Sequence, residues 1–133
     1  MPTHLFTYGS LMFAPVWTRV AKRLYRNTDE VIQGYARFKV SGEEYPAAVA
    51  TPDHPSSRLQ GRVYWDIDSE DMRRLDQFEG ADYSRVNIKT ERGHEVALYV
   101  YRSTQRMSQE PWDPVWFERT GMTSFLTRYP GFE

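Results

Sequence analysis

The stretch that most constrains the fold is residues 4–11, HLFTYGSL, near the start of the chain. Its first half is a short apolar run, which is typical of a buried strand, and the run stops at Gly9 and Ser10. Pro15 follows shortly afterwards and predicts the first turn of a helix, where the missing N–H of proline is not needed. We therefore expect a strand, a tight turn and a helix in succession.

The turn itself is a candidate binding site. Glycine tolerates positive φ and brings bare backbone close to a bound group, so Gly9 is expected to turn the chain in that conformation. The successive N–H groups of Gly9, Ser10 and Leu11 are then expected to face one concavity, which suits a small anion. The alternative interpretation is a plain strand-to-helix turn, because an isolated glycine motif is a weak signal.

Composition excludes several classes of function. At 133 residues the chain is expected to form one domain, 1–133. Seventeen Lys and Arg oppose eighteen Asp and Glu, which argues against nucleic acid as a partner, because its binders carry a basic excess. The chain has no cysteine, so thiol nucleophiles, thiolate metal sites and disulfides are excluded. No apolar run is long enough to span a membrane and no signal peptide is recognisable, so we expect a cytoplasmic protein without a membrane partner.

The rest of the chain predicts an α+β domain. The first helix is expected to end near residues 25–27. Further strands are expected at residues 31–40 (with a bulge at Gly34), 45–49, 60–67, 83–90 and 96–101. Because most of these strands are joined by hairpins, we expect a mixed, largely antiparallel sheet of about six strands with flanking helices, curled into a small β-barrel.

Two later helices have clear boundary signals. The first is expected to be capped by Asp68 or Ser69 and to end at Gly80. The last is expected to begin at Pro114, with Asp113 as its cap, and to run to about residue 126. With the helix near Pro15, this gives three helices.

Glu79 is the main candidate for catalysis. It lies between Phe78 and Gly80 at the C-terminal end of a predicted helix, where the helix dipole disfavours a carboxylate. A residue that breaks a local rule in this way is a candidate for function. In a half-buried pocket, desolvation would raise the pKa of Glu79 and make it a usable general acid or base. The alternative is a surface carboxylate paired with Arg74 or Arg85.

Other polar residues carry weaker signals. Ser10 lacks the second glycine of a nucleophile elbow, which argues against acyl-enzyme chemistry. His4, His54 and His94 have no companion ligands at metal spacing, so no metal site is expected. The tyrosines are expected to be core aromatics whose hydroxyls can donate into a pocket. The four tryptophans are expected in the core or at an interface between two copies, since no basic patch accompanies them.

Six short motifs, in order, resemble the γ-glutamylcyclotransferase-like family. They are YGSL at residues 8–11, YPA at 45–47, GRVY at 61–64, LDQFEG at 75–80, YSR at 83–85 and VY at 100–101. The resemblance covers about residues 4–102, and the ordered set is far more specific than any single motif. It implies a small mixed α/β barrel whose pocket holds a γ-glutamyl group, and it implies no cofactor.

The same resemblance implies roles for particular residues. It implies that Glu79 is the acid/base. It also implies a substrate-binding set, drawn from the backbone of the first motif and from later motifs: Tyr8, Gly9, Ser10, Leu11, Tyr45, Arg85 and Tyr101. The chain departs from many relatives at residues 12–17, MFAPVW, where bulky apolar residues stand in place of Arg, Lys or Gly. This departure concerns the side of the pocket that receives the leaving group.

Together these observations predict an enzyme that cyclises a γ-glutamyl amide to 5-oxoproline and releases the free amine. Its partner is then a small γ-glutamyl molecule, and the chain is expected to be a monomer or homodimer. One alternative is a non-catalytic pocket domain that binds a small acidic or γ-glutamyl metabolite. Another is an interaction domain built on tryptophan surfaces. Glu79 favours the enzyme, because a pure binder of a carboxylate gains nothing from a second negative charge in its pocket.

Overall fold

A computed structural model describes residues 3–102 and 107–128. Over these residues there are eight strands: β1 (Thr3–Thr7), β2 (Asn27–Gln33), β3 (Tyr35–Val40), β4 (Pro46–Ala50), β5 (Arg58–Ile67), β6 (Tyr83–Lys89), β7 (Glu95–Tyr101) and β8 (Met107–Pro111). The α-helices are α1 (Ala14–Ala21), α2 (Ser69–Glu79), α3 (Pro114–Trp116) and α4 (Met122–Arg128). A 3₁₀ turn covers Ser10–Met12, and a π-helical turn, Phe117–Gly121, joins α3 to α4.

The strands form two sheets. The five-stranded sheet has the order β2-β5-β1-β7-β6, and all of its pairs are antiparallel except β1 with β7. The three-stranded sheet has the order β4-β3-β8 and is antiparallel. Pro46 begins β4 on the edge of this sheet, where the absent N–H of proline costs no ladder bond. The expected α+β architecture, mixed and largely antiparallel, is confirmed.

The strand number differs from the expected six. Gly34, with φ +82°, separates β2 from β3 and passes the chain from one sheet to the other, so the single strand expected at residues 31–40 is wrong. The polar residues at the start of β2 and the whole of β8, MSQEP, lack apolar alternation and were not predicted as strands. Over the described residues the strands form two hydrogen-bonded sheets and no closed barrel.

Helix α2 has the boundaries that its sequence predicts. Asp68 caps it by accepting a hydrogen bond from the N–H of Asp71 at 2.8 Å. Gly80, with φ +76°, ends it. Met72 and Leu75 are buried against the core. The helix therefore places its last residues, including Glu79, at a fixed position beside the sheet.

The other helices differ from expectation at their ends. α1 stops at Ala21, earlier than predicted, because Lys22 adopts a left-handed backbone with φ +67°. The last helix begins as expected, with the Asp113 side chain accepting a hydrogen bond from the N–H of Val115 at 2.9 Å. It continues to Arg128 through the π-helical turn. None of the described helices is long and apolar enough to cross a membrane.

The core consists of two main clusters of buried side chains on the two sides of β1. The larger cluster packs the helices on the five-stranded sheet, and within it the rings of Trp17 and Tyr64 stack with centroids 3.6 Å apart. The other cluster includes Phe6 and Leu98. Burying a large apolar side chain contributes about 2 kcal/mol to stability. These two clusters therefore hold β1 in place between them.

Candidate active site

A pocket opens where β1, β4, α2, β6, β7 and α4 converge. It contains about 560 Å³ of space free of protein atoms, part of it open to solvent. Six of the predicted functional residues line it: Tyr8, Gly9, Ser10, Leu11, Tyr45 and Glu79. Much of the remaining wall is aromatic, supplied by Phe6, Phe78, Tyr83, Tyr99 and Phe125. The pocket therefore brings the first motif and the predicted acid/base together.

Two carbonyl groups of the turn after β1 accept hydrogen bonds from N–H groups that follow closely in the chain. The carbonyl of Gly9 accepts a hydrogen bond from the N–H of Met12 at 3.0 Å, and the carbonyl of Ser10 accepts one from the N–H of Phe13 at 3.2 Å. These i→i+3 bonds close the 3₁₀ turn. The turn is thus held in a single tight conformation.

Side chains from other elements bind the carbonyls on either side. Arg37 donates from Nη1 to the carbonyl of Tyr8 at 2.7 Å. The Tyr64 hydroxyl donates to the carbonyl of Leu11 at 3.0 Å. Every carbonyl from residue 8 to residue 11 therefore has a donor, and the turn is anchored to β3 and β5.

The N–H groups of the same turn lack protein acceptors. Among residues 3–102 and 107–128, no group accepts a hydrogen bond from the backbone N–H of Gly9, Ser10 or Leu11. All three residues are buried. A buried N–H without a partner costs free energy unless a ligand or water binds it. A turn with occupied carbonyls and available donors can bind a carboxylate or an oxyanion.

Glycine is needed at position 9 for a different reason from the one expected. The φ of Gly9 is −133°, so the predicted positive φ is wrong. A Cβ atom at this position would lie 2.7 Å from both Cγ and Cδ of Pro46. Gly9 therefore allows the turn to lie directly against the first residue of β4, and this contact joins two of the motifs that the sequence singled out.

Glu79 is the last residue of α2 and has no ion-pair partner in the described part of the chain. Its two expected surface partners are engaged elsewhere. Arg74 pairs with Asp71 at 2.7 Å, and Arg85 pairs with Asp76 at 3.1 Å. The structure therefore does not support Glu79 as a paired surface carboxylate.

The surroundings of Glu79 favour its protonated form. Burial raises the pKa of Glu79 to about 8, and the nearby Asp76 carboxylate adds to the rise. Burial also raises the pKa of Tyr8 and of Tyr83, with the Glu79 charge as a further cause, so both hydroxyls stay protonated at neutral pH. A carboxyl group with such a pKa can both accept and donate a proton near neutral pH.

Three tyrosine hydroxyls around the pocket have fixed acceptors. Tyr8 donates to the carbonyl of Tyr99 at 2.6 Å, and Tyr83 donates to the carbonyl of Pro46 at 2.9 Å. Tyr99 donates to Oδ1 of Asp76 at 2.7 Å. These bonds connect the residue that follows β1 with β4, β6, β7 and α2, and they restrain the wall of the pocket.

Two of the predicted substrate-binding residues are outside the pocket lining. Arg85 is exposed on β6 and pairs with Asp76. Tyr101 is buried, and its ring centroid lies 5.3 Å from that of Tyr83, which does line the pocket. Tyr101 is thus one side chain away from the site, whereas Arg85 is linked to it through Asp76, which accepts a hydrogen bond from the pocket residue Tyr99.

Sequence reasoning missed several wall residues. Tyr83 lies in a quoted motif and Pro46 in another, but neither was selected, and Tyr99 and Phe125 were not selected either. Phe125 comes from α4, far along the chain, and no local pattern indicates that it reaches the pocket. Among the described residues, no three His, Asp or Glu side chains lie close enough to hold a metal ion.

The sequence is similar to a described protein family and to several known proteins. Residues 5–116 match the family described as gamma-glutamyl cyclotransferase, AIG2-like. Protein AIG2 C of Arabidopsis thaliana is 28% identical over 117 residues, which are 83% of this chain and 68% of that protein. Across three such Arabidopsis relatives, the chain spans 54% to 68% of the length of the relative.

Solved structures share the fold. An Arabidopsis thaliana protein with a solution structure has a TM-score of 0.69 and 22% identity, over 98% of this chain and 81% of that one. A gamma-glutamyl cyclotransferase specific to glutathione, from yeast, has a TM-score of 0.65 and 12% identity, over 98% of this chain and 89% of that one. At these identities the likeness shows the fold alone. Because the family match extends over most of the chain, the protein belongs to the gamma-glutamyl cyclotransferase, AIG2-like family.

Proposed function

We propose that this protein cyclises a γ-glutamyl amide to 5-oxoproline and releases the free amine. One observation carries the proposal. The same pocket is lined by Gly9, Ser10 and Leu11, whose backbone N–H groups have no acceptor among the described residues, and by Glu79, whose carboxyl group has no ion-pair partner there. The family supports the reaction class, and so does the name of the yeast structure with the same fold.

The reaction needs positioning and proton transfer. The α-amine attacks the γ-carbonyl carbon of its own molecule, a ring C–N bond forms, and the C–N bond to the leaving amine breaks. Because nucleophile and electrophile belong to one molecule, holding the folded conformer supplies much of the acceleration. No oxidant, reductant or second substrate is consumed.

Glu79 carries both proton transfers in this proposal. It takes a proton from the α-ammonium and later gives one to the nitrogen of the leaving amine. Burial raises its pKa to about 8. A bound α-ammonium favours the carboxylate and lowers that pKa, so substrate binding itself generates the base.

The turn after β1 supplies the hydrogen-bond donors. We assign the N–H groups of Gly9, Ser10 and Leu11 to the α-carboxylate or to the oxyanion that forms at the γ-carbonyl. Because the carbonyls of this turn are already anchored, its donors need no reorganisation when charge develops. The turn therefore stabilises negative charge at little cost.

The other predicted residues have less direct roles. Tyr8 and Tyr45 form part of the wall that contacts the substrate, whereas Arg85 and Tyr101 lie behind other side chains. Arg85 forms an ion pair with Asp76, whose carboxylate charge helps to raise the pKa of Glu79. The proposal includes a cytoplasmic enzyme that acts as a monomer or homodimer on a small molecule.

A panel of γ-glutamyl compounds tests the proposal. Glutathione, a γ-glutamyl amino acid, a γ-glutamyl polyamine and an isopeptide share the reacting end, and turnover should release 5-oxoproline and amine in equal amounts. The ratio kcat/KM should rise with pH through about 8 and then level off until the substrate ammonium loses its proton. Ligand binding without 5-oxoproline from any compound would instead identify a binding domain.

A further inference from the structure

One wall of the pocket has no role in the proposed chemistry. Phe125 on α4 is buried and lines the pocket. The centroid of its ring lies 6.0 Å from that of Phe78 and 6.5 Å from that of Tyr45. Both pairs of rings are nearly edge-to-face. We call these three side chains the aromatic collar. Phe125 lies beyond residues 5–116, the part that matches the family.

The collar faces the same space as the polar groups of the site. The backbone donors at residues 9–11 and Glu79 supply the charge-binding groups of the pocket. In the proposed reaction these groups hold the ammonium, carboxylate and carbonyl of the γ-glutamyl unit. The substituent on the leaving nitrogen is then left to lie against aromatic carbon, which favours an uncharged body.

Contacts outside the pocket hold the collar in place. Phe125 packs on Phe117 with ring centroids 5.6 Å apart. Arg128, the last residue of α4, forms ion pairs with Glu43 at 3.1 Å and with Glu44 at 2.9 Å, in the loop that leads to Tyr45. The loop and the helix are thus tied together. A close-packed wall supported from behind resists moving aside for a wider group.

We propose that Phe125 is a specificity-determining residue that limits the width of the group on the leaving nitrogen. The inference rests on the proposed function. A smaller side chain at this position opens space beside Tyr45 and Phe78 without touching Glu79 or the turn after β1. A larger one closes that space. Narrow and wide amides should therefore respond differently to the same substitution.

The experiment compares three neutral amides of increasing width: γ-glutamyl methylamide, γ-glutamyl anilide and γ-glutamyl 2-naphthylamide. For each, kcat/KM is measured with wild type, Phe125→Leu and Phe125→Trp. We expect Phe125→Leu to raise the naphthylamide-to-methylamide ratio of kcat/KM about tenfold or more, the scale of discrimination by an apolar pocket wall. Phe125→Trp should lower the ratio.

Phe117→Leu is the matched control. Phe117 is as buried as Phe125, lies on the same helical segment and contacts it, but it is outside the pocket lining. Its substitution should lower stability and raise the ratio much less than Phe125→Leu does, because it weakens the support of the collar without opening the pocket wall. The inference is overturned if Phe125→Leu keeps the wild-type ratio, or if Phe117→Leu raises it equally. If Phe125→Leu does not fold, the direction of the change in Phe125→Trp decides. If wild type yields no 5-oxoproline from any amide, the proposed function fails and the inference fails with it.

Discussion

Two turns of this protein use glycine and backbone donors in opposite ways. In the turn after β1, Gly9 has a negative φ and permits a close approach, and the described residues offer its N–H groups no acceptor. In the β6–β7 hairpin, Gly93 has φ +86° and donates to the carbonyl of Thr90 at 2.9 Å, and the N–H of His94 donates to Thr90 Oγ1 at 3.2 Å. The N–H groups of the hairpin have acceptors within it, whereas the described residues leave those of the first turn available to a ligand or water. In the proposed function, the available donors and not the glycine itself make the first turn a binding turn.

The acidic residues near these two turns also differ in whether neighbouring residues match their charge. Glu91 of the hairpin accepts hydrogen bonds from Arg58 at 2.8 and 2.9 Å and from Gln33 at 2.9 Å, and these bonds lower its pKa to about 2. Glu79 has no cation beside it in the described residues, and burial raises its pKa to about 8. The charge of Glu91 is matched by its neighbours, whereas the described residues place no cation beside Glu79, which suits the proposed binding of a substrate ammonium.

The largest expected difference between the two regions is the effect on kcat of removing the charge of Glu79 or of Glu91. Glu79→Gln keeps the shape of the side chain but cannot transfer a proton, so kcat should fall by a factor on the order of 10² to 10⁴. Glu91→Gln, the matched control, should leave kcat within about threefold of wild type because surface changes act mainly on stability. Steady-state kinetics on both variants, with circular dichroism to check folding, make the comparison. Near-normal turnover in Glu79→Gln would remove this residue from the mechanism.

Substitution of Gly9 should affect ligand binding, whereas substitution of Gly93 should affect stability. Gly9→Val places a branched side chain against the Pro46 ring, where even a Cβ would lie at 2.7 Å, so we expect binding to be abolished. Gly93→Ala adds a Cβ in open space at positive φ, which should cost about 1 kcal/mol of stability and leave affinity unchanged. Calorimetric titration with 5-oxoproline and urea unfolding measure the two effects. Equal losses of affinity would contradict the distinction drawn between these turns.

The pH dependence of stability should have opposite signs at the two acids. The pKa of Glu79 is higher in the folded protein than its ordinary value of 4.5. Its contribution to the free energy of unfolding is therefore fully present below pH 4.5 and is lost as pH rises through about 8. Glu79→Gln should therefore gain stability over wild type between pH 5 and pH 9. Because the side chain is only half-buried, the gain should be on the order of 1–2 kcal/mol.

Glu91 provides the opposite case for the same measurement. Its lowered pKa means that its contribution is present above its ordinary value of 4.5 and is lost as pH falls towards 2. Glu91→Gln should thus be less stable than wild type at neutral pH, with the difference shrinking in acid. Urea unfolding of both variants across this range checks the signs. A parallel pH dependence in the two variants would refute the contrast between matched and unmatched charge.

The elements that sequence predicted well are those with strong local patterns. Helix α2 has an acidic cap, an apolar stripe and a terminal glycine, and the β6–β7 hairpin has a glycine turn between two segments rich in β-branched and aromatic residues. By contrast, β2 pairs with β5 through polar residues, and β8 pairs with β3 despite having no alternation. Their pairing is imposed by tertiary contacts, so no local rule finds it.

The site was predictable to a similar extent. Glu79 was selected as a candidate because it breaks a local rule at a helix end, and the turn after β1 was selected because an apolar run stops abruptly at a glycine; the structure places both in the lining of one pocket. Phe125 and Tyr99 reach the pocket only after the helices pack on the sheet, so their sequence neighbourhood contains no signal. The role of Gly9 was misjudged because a close approach to Pro46 depends on distant chain, whereas φ preference is local.

The smallest expected effect concerns the side chain of Ser10 in the binding turn. Ser10→Ala keeps the backbone N–H and removes only the hydroxyl, so kcat/KM should fall by less than about fivefold, the scale of one modest hydrogen bond. Thr7→Val is the control, because Thr7 also lines the pocket but its hydroxyl donates to the carbonyl of Arg62 at 2.7 Å. That variant should lose about 1 kcal/mol of stability. If Ser10→Ala were as damaging as Glu79→Gln, the turn would act through its side chain and not its backbone alone, and a mechanism with attack by the Ser10 hydroxyl would have to be reopened.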